Sequence, residues 1–262
     1  MSVVMTPCST CLARRGTICG ALDDPAVERL KSHAQDEAVE GGRWLVHPGD
    51  ASSSVFMLRT GHAHVARVTR DGKRQILAFI FPGDFFGFTF EQRYVYGAWA
   101  DRDVTLCRLP RERFDAFVES TPGFERRLRL QLTRLLDSAQ ELIFTLGRKS
   151  AIERVASFIW YLHYRQRKLG HEASTTSIPM SRADIADYLG LTSESVSRAI
   201  TRLKQEGLVR DGRGVVIVDL LEHQDVRVDD PVVQVPLEDV RFHLLAEKGR
   251  VIGAEQVFFE QA

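Results

Sequence analysis

The sequence predicts an α+β protein in which a compact all-β unit is followed by one long amphipathic helix and a C-terminal winged helix-turn-helix. Three observations carry that prediction. Across residues 43–113, short alternating apolar runs are cut at close intervals by Pro48-Gly49, Gly61, Asp71-Gly72 and Pro82-Gly83, the texture of short strands joined by tight turns. Across 122–147 apolar residues return every three or four positions, which is the helical period. Across 180–208 two short stretches with helix-capping residues flank Gly190, and two β-prone runs follow.

The chain has 262 residues, enough for two domains with ordinary cores. No stretch approaches the roughly 18 continuous apolar residues of a membrane helix, and residues 1–20 lack the apolar centre of a signal peptide. The protein is therefore read as cytoplasmic, with no membrane partner. Residues 1–22 form a leader that holds Cys8, Cys11 and Cys19. Residues 23–41 read as one helical segment, with Pro25 near its start and Gly41-Gly42 as its stop. In the β-rich stretch that follows, Asp71-Gly72 lies between two alternating runs and marks a hairpin; about eight strands are expected in all.

The next helix carries Phe124, Leu128, Leu132, Leu135, Ala139, Leu142 and Leu146 as one apolar stripe. A small β-domain could hardly cover it, so the helix either docks on its own domain or pairs with a second copy. Residues 151–170 form another helix, with Val155, Phe158, Ile159 and Leu162 inward, and a β-hairpin turning at 211–214 closes the readable part. From residue 219 onward ten acidic and four basic residues give −6, which leaves the preceding body at +6 within a formal net charge of zero. An acidic tail thus masks a moderately basic body, a weak signal for a phosphate-bearing partner.

The stretch 180–208 is the most specific. Ser181 with Asp184 matches a helix N-cap with an acidic third residue. Ile185, Ala186 and Leu189 make one apolar face, Gly190 allows a tight turn, and Thr192 caps a second helix whose inner face is Val196, Ile200 and Leu203. Two such helices form a helix-turn-helix. Outside lie Ser193, Glu194, Ser197, Arg198 and Arg202, on the first turns and outer face of the second helix, the part that enters the major groove of double-stranded DNA. Arg198 can donate twice to guanine, Glu194 can accept from the cytosine amino group, and Ser197 can bond either base edge. Ser181, Thr192 and Lys204 are better placed for backbone phosphates. The bland alternative, an ordinary solvated amphipathic helix, leaves the two caps, the Gly turn and the following hairpin unexplained.

At this point the chain resembles the CRP/FNR regulators. The run 185–208 looks like their helix-turn-helix, and Glu194-Ser-Val-Ser197-Arg198 matches the FNR-type pattern Glu-x-x-Ser-Arg. The resemblance spans residues 8–220. It implies an N-terminal β-roll (a cyclic-nucleotide-binding-like jelly roll) over 23–121, a dimerisation helix over 122–148 and a winged helix-turn-helix over 149–220; the charge count adds an acidic extension over 221–262. It further implies a homodimer paired through Leu128, Leu132, Leu135, Ala139, Leu142 and Leu146, a palindromic target with TTGAT-type half-sites, and contact with RNA polymerase. Cyclic-AMP-binding members carry Gly-Glu and then Arg-Ser; here Phe88 stands where the Glu is expected and Gly97-Ala98 near where Arg-Ser is expected. A pocket without that arginine cannot pair with the cyclic phosphate, so no cyclic AMP is expected.

The cysteines offer another signal. Cys8-x2-Cys11-x7-Cys19 plus the distant Cys107 give four thiolates, enough for a [4Fe–4S] cluster; in a cytoplasmic chain, metal or cluster ligation outranks a disulfide. The FNR-type oxygen sensors use a similar N-terminal trio and one β-domain cysteine, which assigns Cys8, Cys11, Cys19 and Cys107 as ligands. The interval before Cys19 is longer than in the best-known member. Structural zinc, a trio without a cofactor, and a haem on His47, His62 or His64 stay open as readings of the residues alone. No enzyme is expected: there is no P-loop, no Gly-x-Gly-x-x-Gly and no Gly-x-Ser-x-Gly, and His33, His163 and His171 have no nucleophile at recognisable spacing.

Overall fold

The computed structural model describes Cys8, Cys11, Arg14 and residues 17–168, 176–212 and 214–217. The acidic extension 221–262 and His171 lie outside the described residues. Eight strands build two antiparallel sheets: β1 (Gln35–Val39), β2 (Trp44–Val46), β3 (Ser54–Thr60), β4 (Ala63–Val68), β5 (Arg74–Ile80), β6 (Phe85–Phe86), β7 (Gly97–Ala100) and β8 (Val104–Pro110). One sheet runs β1-β8-β3-β6 and the other β2-β7-β4-β5. The β4–β5 hairpin turns where Asp71-Gly72 predicted, with Val68 opposite Arg74. The turn holds five residues, closed by Thr69 Oγ1 on the Lys73 amide at 3.1 Å, with Gly72 at φ +81°.

Side chains alternate across a strand, and that alternation divides the molecule into three cores. Phe56 and Leu58 of β3 and Val104 and Leu106 of β8 face Val65 and Ala98 between the sheets. Val55 and Met57 of β3 and Cys107 and Leu109 of β8 point the other way, onto α1 (Asp24–His33), α2 (Arg111–Ser120) and the start of α3 (Pro122–Arg148). Strand β3 is thus buried on both faces. On the far side, Ala66, Ile76 and Phe79 pack on Val155, Phe158 and Ile159 of α4 (Ala151–Lys168) and on the C-terminal domain. Phe79, Phe158 and Tyr188 form a ring triad with centroids 5.2–5.6 Å apart.

Two elements depart from the sequence reading. The helix expected over 23–41 stops at His33, and 35–39 is an edge strand, registered Asp36↔Cys107 and Val39↔Val104. Its polar Gln-Asp-Glu run carries no period-2 apolar signature, because only the backbone pairing to β8 defines it. The second is α2, which falls at the end of the β-rich reading; its Phe114 and Phe117 sit three apart on one buried face.

The C-terminal unit follows expectation. Helices α5 (Arg182–Leu189) and α6 (Ser193–Gln205) flank Gly190, which adopts the left-handed conformation at φ 61°. A hairpin of β9 (Val209–Gly212) and β10 (Gly214–Ile217) follows.

Candidate functional site

The first candidate site is a pocket lined by all four cysteines. The leader reaches it through successive turns: the Cys11 amide donates to the Cys8 carbonyl at 3.3 Å, Arg14 to Cys11 at 3.0 Å and Thr17 to Arg14 at 3.4 Å. Arg14 fastens this ribbon through Asp24 at 2.9 Å and the Leu22 carbonyl at 2.8 Å. A Cβ on Gly20 would lie 2.5 Å from the Arg14 carbonyl oxygen, so only glycine lets the ribbon close there. Ile18, fully buried, anchors the short 3-10 turn Ile18–Ala21 that carries Cys19.

Cys107 comes from the sheet. It stands across from Asp36 on one side and Met57 on the other. Its Sγ lies 3.8 Å from Asp36 Oδ1, and Cys19 Sγ lies 3.6 Å from the Met57 sulfur. Val27, Leu30, Phe85 and Leu109 supply apolar wall; Arg14, Lys31 and Arg59 supply the basic part. All four cysteines are free thiols.

Burial pushes the Cys19 thiol up to about 12, with the neighbouring Cys107 adding to it. Burial likewise pushes Cys107 to about 11, against the opposing pull of Arg59 and Lys31. Cys8 is raised by burial too. Burial thus favours the protonated form of these thiols, and metal ligation has to release their protons. Among the described residues no three or more His, Cys, Asp or Glu side chains close on a point as a single ion requires. The four sulfurs line one mostly apolar pocket instead. A cluster that takes one thiolate per iron needs its sulfurs spread further apart than a single tetrahedral ion does, and a donor set of four cysteines is the one it takes.

The histidines considered for haem sit elsewhere. His64 Nδ1 is 2.7 Å from Asp101 Oδ1. His62 is buried, which lowers its pKa. His47 lies against Trp44, the rings tilted by 37° with centroids 5.2 Å apart. His163 bonds Thr176 Oγ1 at 2.8 Å. Phe88 packs on Phe85 and Phe114.

The second candidate site is the outer face of α6. Both sides of the capping box at α5 are formed, Ser181 accepting from the Asp184 amide and Asp184 from the Ser181 amide. Thr192 caps α6 by accepting from the Ser195 amide at 3.1 Å. Val196, Ala199, Ile200 and Leu203 are buried, so the helix is fixed by its inner face. Ser193, Glu194, Ser197, Arg198 and Arg202 are exposed. Arg198 rests on Glu194 at 2.9 Å, and Arg202 on Glu206 at 2.5 Å. Such exposed pairs contribute little to stability, so the guanidiniums can leave them for a stronger acceptor.

The stripe on α3 divides. Leu132, Leu135 and Ala139 are exposed, while Leu128, Leu142 and Leu146 are half-buried against their own chain. Leu136, Ile143 and Phe144, absent from the predicted stripe, are exposed as well. The exposed apolar face thus includes Leu132, Leu135 and Ala139 of the stripe together with these neighbours.

Comparison with known proteins gives the frame. A model described as a cyclic nucleotide-binding domain matches residues 37–121, and one described as a Crp-like helix-turn-helix domain matches 153–222. The chain is 39% identical over 228 residues to the transcriptional activatory protein AadR of Rhodopseudomonas palustris, covering 86% of this chain and 90% of that one. It is 30% identical over 233 residues to the transcriptional activator protein FnrL of Cereibacter sphaeroides, covering 87% and 94%. The chain belongs to the CRP/FNR family. The solved structure of FixK2 from Bradyrhizobium japonicum superposes with a TM-score of 0.65 at 31% identity, covering 70% of this chain and 92% of that one. As a CRP/FNR regulator the chain pairs a β-roll with a DNA-binding domain, and its curated relatives are transcription regulators rather than enzymes. Within this CRP/FNR chain the sequence reading found the four cysteines and missed Asp36, Met57 and Arg59 around them. Their only available signal is pairing across β8, which a one-dimensional pattern does not carry.

Proposed function

We propose that this CRP/FNR regulator is a homodimeric, oxygen- or redox-responsive transcriptional activator that holds a [4Fe–4S] cluster on Cys8, Cys11, Cys19 and Cys107 and reads TTGAT-type palindromes in the cytoplasm. The observation that supports it best is the convergence of the leader's cysteines and Cys107 on one pocket. When bound, the cluster supplies an oxygen-reactive centre. The chain's own residues supply the rest. Ile18 and Cys19 share a core with Phe124 and Leu128, so the order of the leader and the packing of the first turns of α3 depend on each other. The exposed face of α3 around Leu132, Leu135, Ala139 and Ile143 meets its copy in a second chain. Arg198, Glu194 and Ser197, with Ser193 and Arg202 on the same face, then read base edges in each half-site, Ser181, Thr192 and Lys204 contact the backbone phosphates, and the dimer's two-fold matches the palindrome. RNA polymerase is the downstream partner. The β-roll takes no cyclic AMP, since Phe88 occupies the position of the family's glutamate.

The experiment is an operator titration on protein purified without oxygen, repeated after air exposure and with Cys107→Ala. Tight anaerobic binding that weakens in air, and a Cys107→Ala protein that stays weak in both, is the expected outcome. Equal binding by all three contradicts the sensor and leaves the DNA-binding regulator.

A further inference from the structure

Beneath the four cysteines lies a set of charges that the cysteine pattern does not explain. Arg59 follows Val55 and Met57 on the pocket-facing side of β3, and only 5% of it is exposed. Its guanidinium lines the pocket together with Cys11 and lies 3.3 Å from Asp36 Oδ1. Lys31, in the last turn of α1, pairs with the same Asp36 oxygen. That oxygen in turn faces the Cys107 sulfur at 3.8 Å. Asp36 therefore braces two cations at the edge of the pocket, each from a different element.

A buried guanidinium costs several kcal/mol of desolvation unless it gains specific partners, so its placement here calls for a use. Four thiolates bring more negative charge than an iron–sulfur core returns, and the loaded pocket is a buried anion. Such an anion needs opposite charge and hydrogen-bond donors to its sulfurs. Lys31 and Arg59 are the cations beside it whose ion-pair partner is the pocket-edge carboxylate, whereas Arg14 is turned to Asp24 and the leader backbone.

We propose that Arg59, braced by Asp36, is the positioning residue of the cysteine site: it holds Cys11 and, with Lys31, supplies the positive charge that lets four thiolates share one buried pocket. This rests on the cluster reading above. Groups one step behind the ligands change metal affinity by about 10- to 100-fold when mutated.

The test uses the full chain, reconstituted without oxygen from ferrous iron and sulfide. Iron and sulfide per chain are counted, and the rate at which a ferrous chelator strips the iron is followed anaerobically. Arg59→Met keeps the apolar stem and removes the charge; Arg59→Lys restores the charge. The wild type retains its iron, Arg59→Met loses it about tenfold faster or more, and Arg59→Lys lies between. Thermal unfolding of the metal-free proteins reports whether Arg59→Met folds. If it does not, Lys31→Met, whose side chain is 26% exposed, decides by a smaller loss in the same direction. Wild-type retention in a folded Arg59→Met, or in Lys31→Met where the former does not fold, overturns this inference and leaves the cluster standing. A wild type that takes up no iron overturns both.

Discussion

Arg74 of the β-roll and Asp184 of the helix-turn-helix are joined at 2.5 Å across the boundary between the two domains. The same guanidinium reaches Asp187 at 2.6 Å, and Gln75 beside it donates to the Tyr188 carbonyl at 3.2 Å. Asp184 is also the carboxylate of the α5 capping box, so one side chain both starts the first helix of the DNA-binding domain and ties it to β5. Arg165 adds a second tie, to Asp84 at 2.6 Å, and lies over the Phe81 ring. The helix-turn-helix domain is thereby held to the β-roll of its own chain by ion pairs as well as by the Phe79–Phe158–Tyr188 triad.

This contact predicts an acid dependence. Burial pushes the Asp184 carboxyl up, but the Ser181 hydroxyl and Arg74 outweigh burial and hold it below its ordinary value. A carboxylate held low stabilises the fold above its unfolded pKa of about 3.9 and loses that contribution as pH falls through its folded value. Asp184→Asn is therefore expected to lower stability at neutral pH by about 1 kcal/mol, in keeping with a partly exposed ion pair, and to flatten the acid limb. Denaturant melts at neutral pH and below about pH 4 check it; an unchanged acid limb argues that other carboxylates set it.

Arg198→Ala is expected to cost about 1–3 kcal/mol per half-site at the specific operator, while the dimer and the weak, salt-dependent affinity for random DNA persist. Because Arg198 is exposed and its partner Glu194 is too, folding should be unaffected. Competition binding against random duplex reads the difference. An equal loss on both DNAs would place Arg198 on the phosphates instead.

The dimer prediction falls on residues that the sequence pattern passed over. Ile143 is 71% exposed, far more than the half-buried Leu128 and Leu142. Ile143→Glu should convert a sedimenting dimer to monomer while shifting monomer stability by no more than about 0.5 kcal/mol, as surface substitutions do. Leu128→Glu should instead destabilise the chain itself, because Leu128 packs on the core that holds Ile18 and Phe124. Sedimentation and melting of the two variants separate these roles.

Most of the architecture was legible because its signals are local. The Asp71-Gly72 turn, the helical period through α3 and the Ser181–Asp184 and Thr192 caps each lie within a few residues of the structure they specify. The trio Cys8, Cys11 and Cys19 was legible by spacing, whereas Cys107, far along the chain, joined it only through the family resemblance. Strand β1 was not legible, because Gln35-Asp-Glu is polar on both faces and is defined only by its pairing with β8, from Gln35↔Arg108 to Val39↔Val104. Arg59 was hidden for the same reason: alternation along β3 puts it on the pocket side, but that side is known only once Cys107 and Asp36 are seen on the adjacent strands. The stripe along α3 was legible as apolar, but its division was not: periodicity cannot apportion residues between the helix's own chain and its exposed face.

The central claim is that the cysteine pocket holds an oxygen-reactive iron–sulfur cluster, and the direct measurement is iron and sulfide content with the absorption spectrum of anaerobically purified protein, before and after air. A loaded pocket gives about four irons and four sulfides per chain, and a broad visible absorption that bleaches on exposure. A colourless protein that stays metal-free after anaerobic reconstitution would contradict it, leaving a CRP/FNR regulator whose four cysteines share a pocket for another reason.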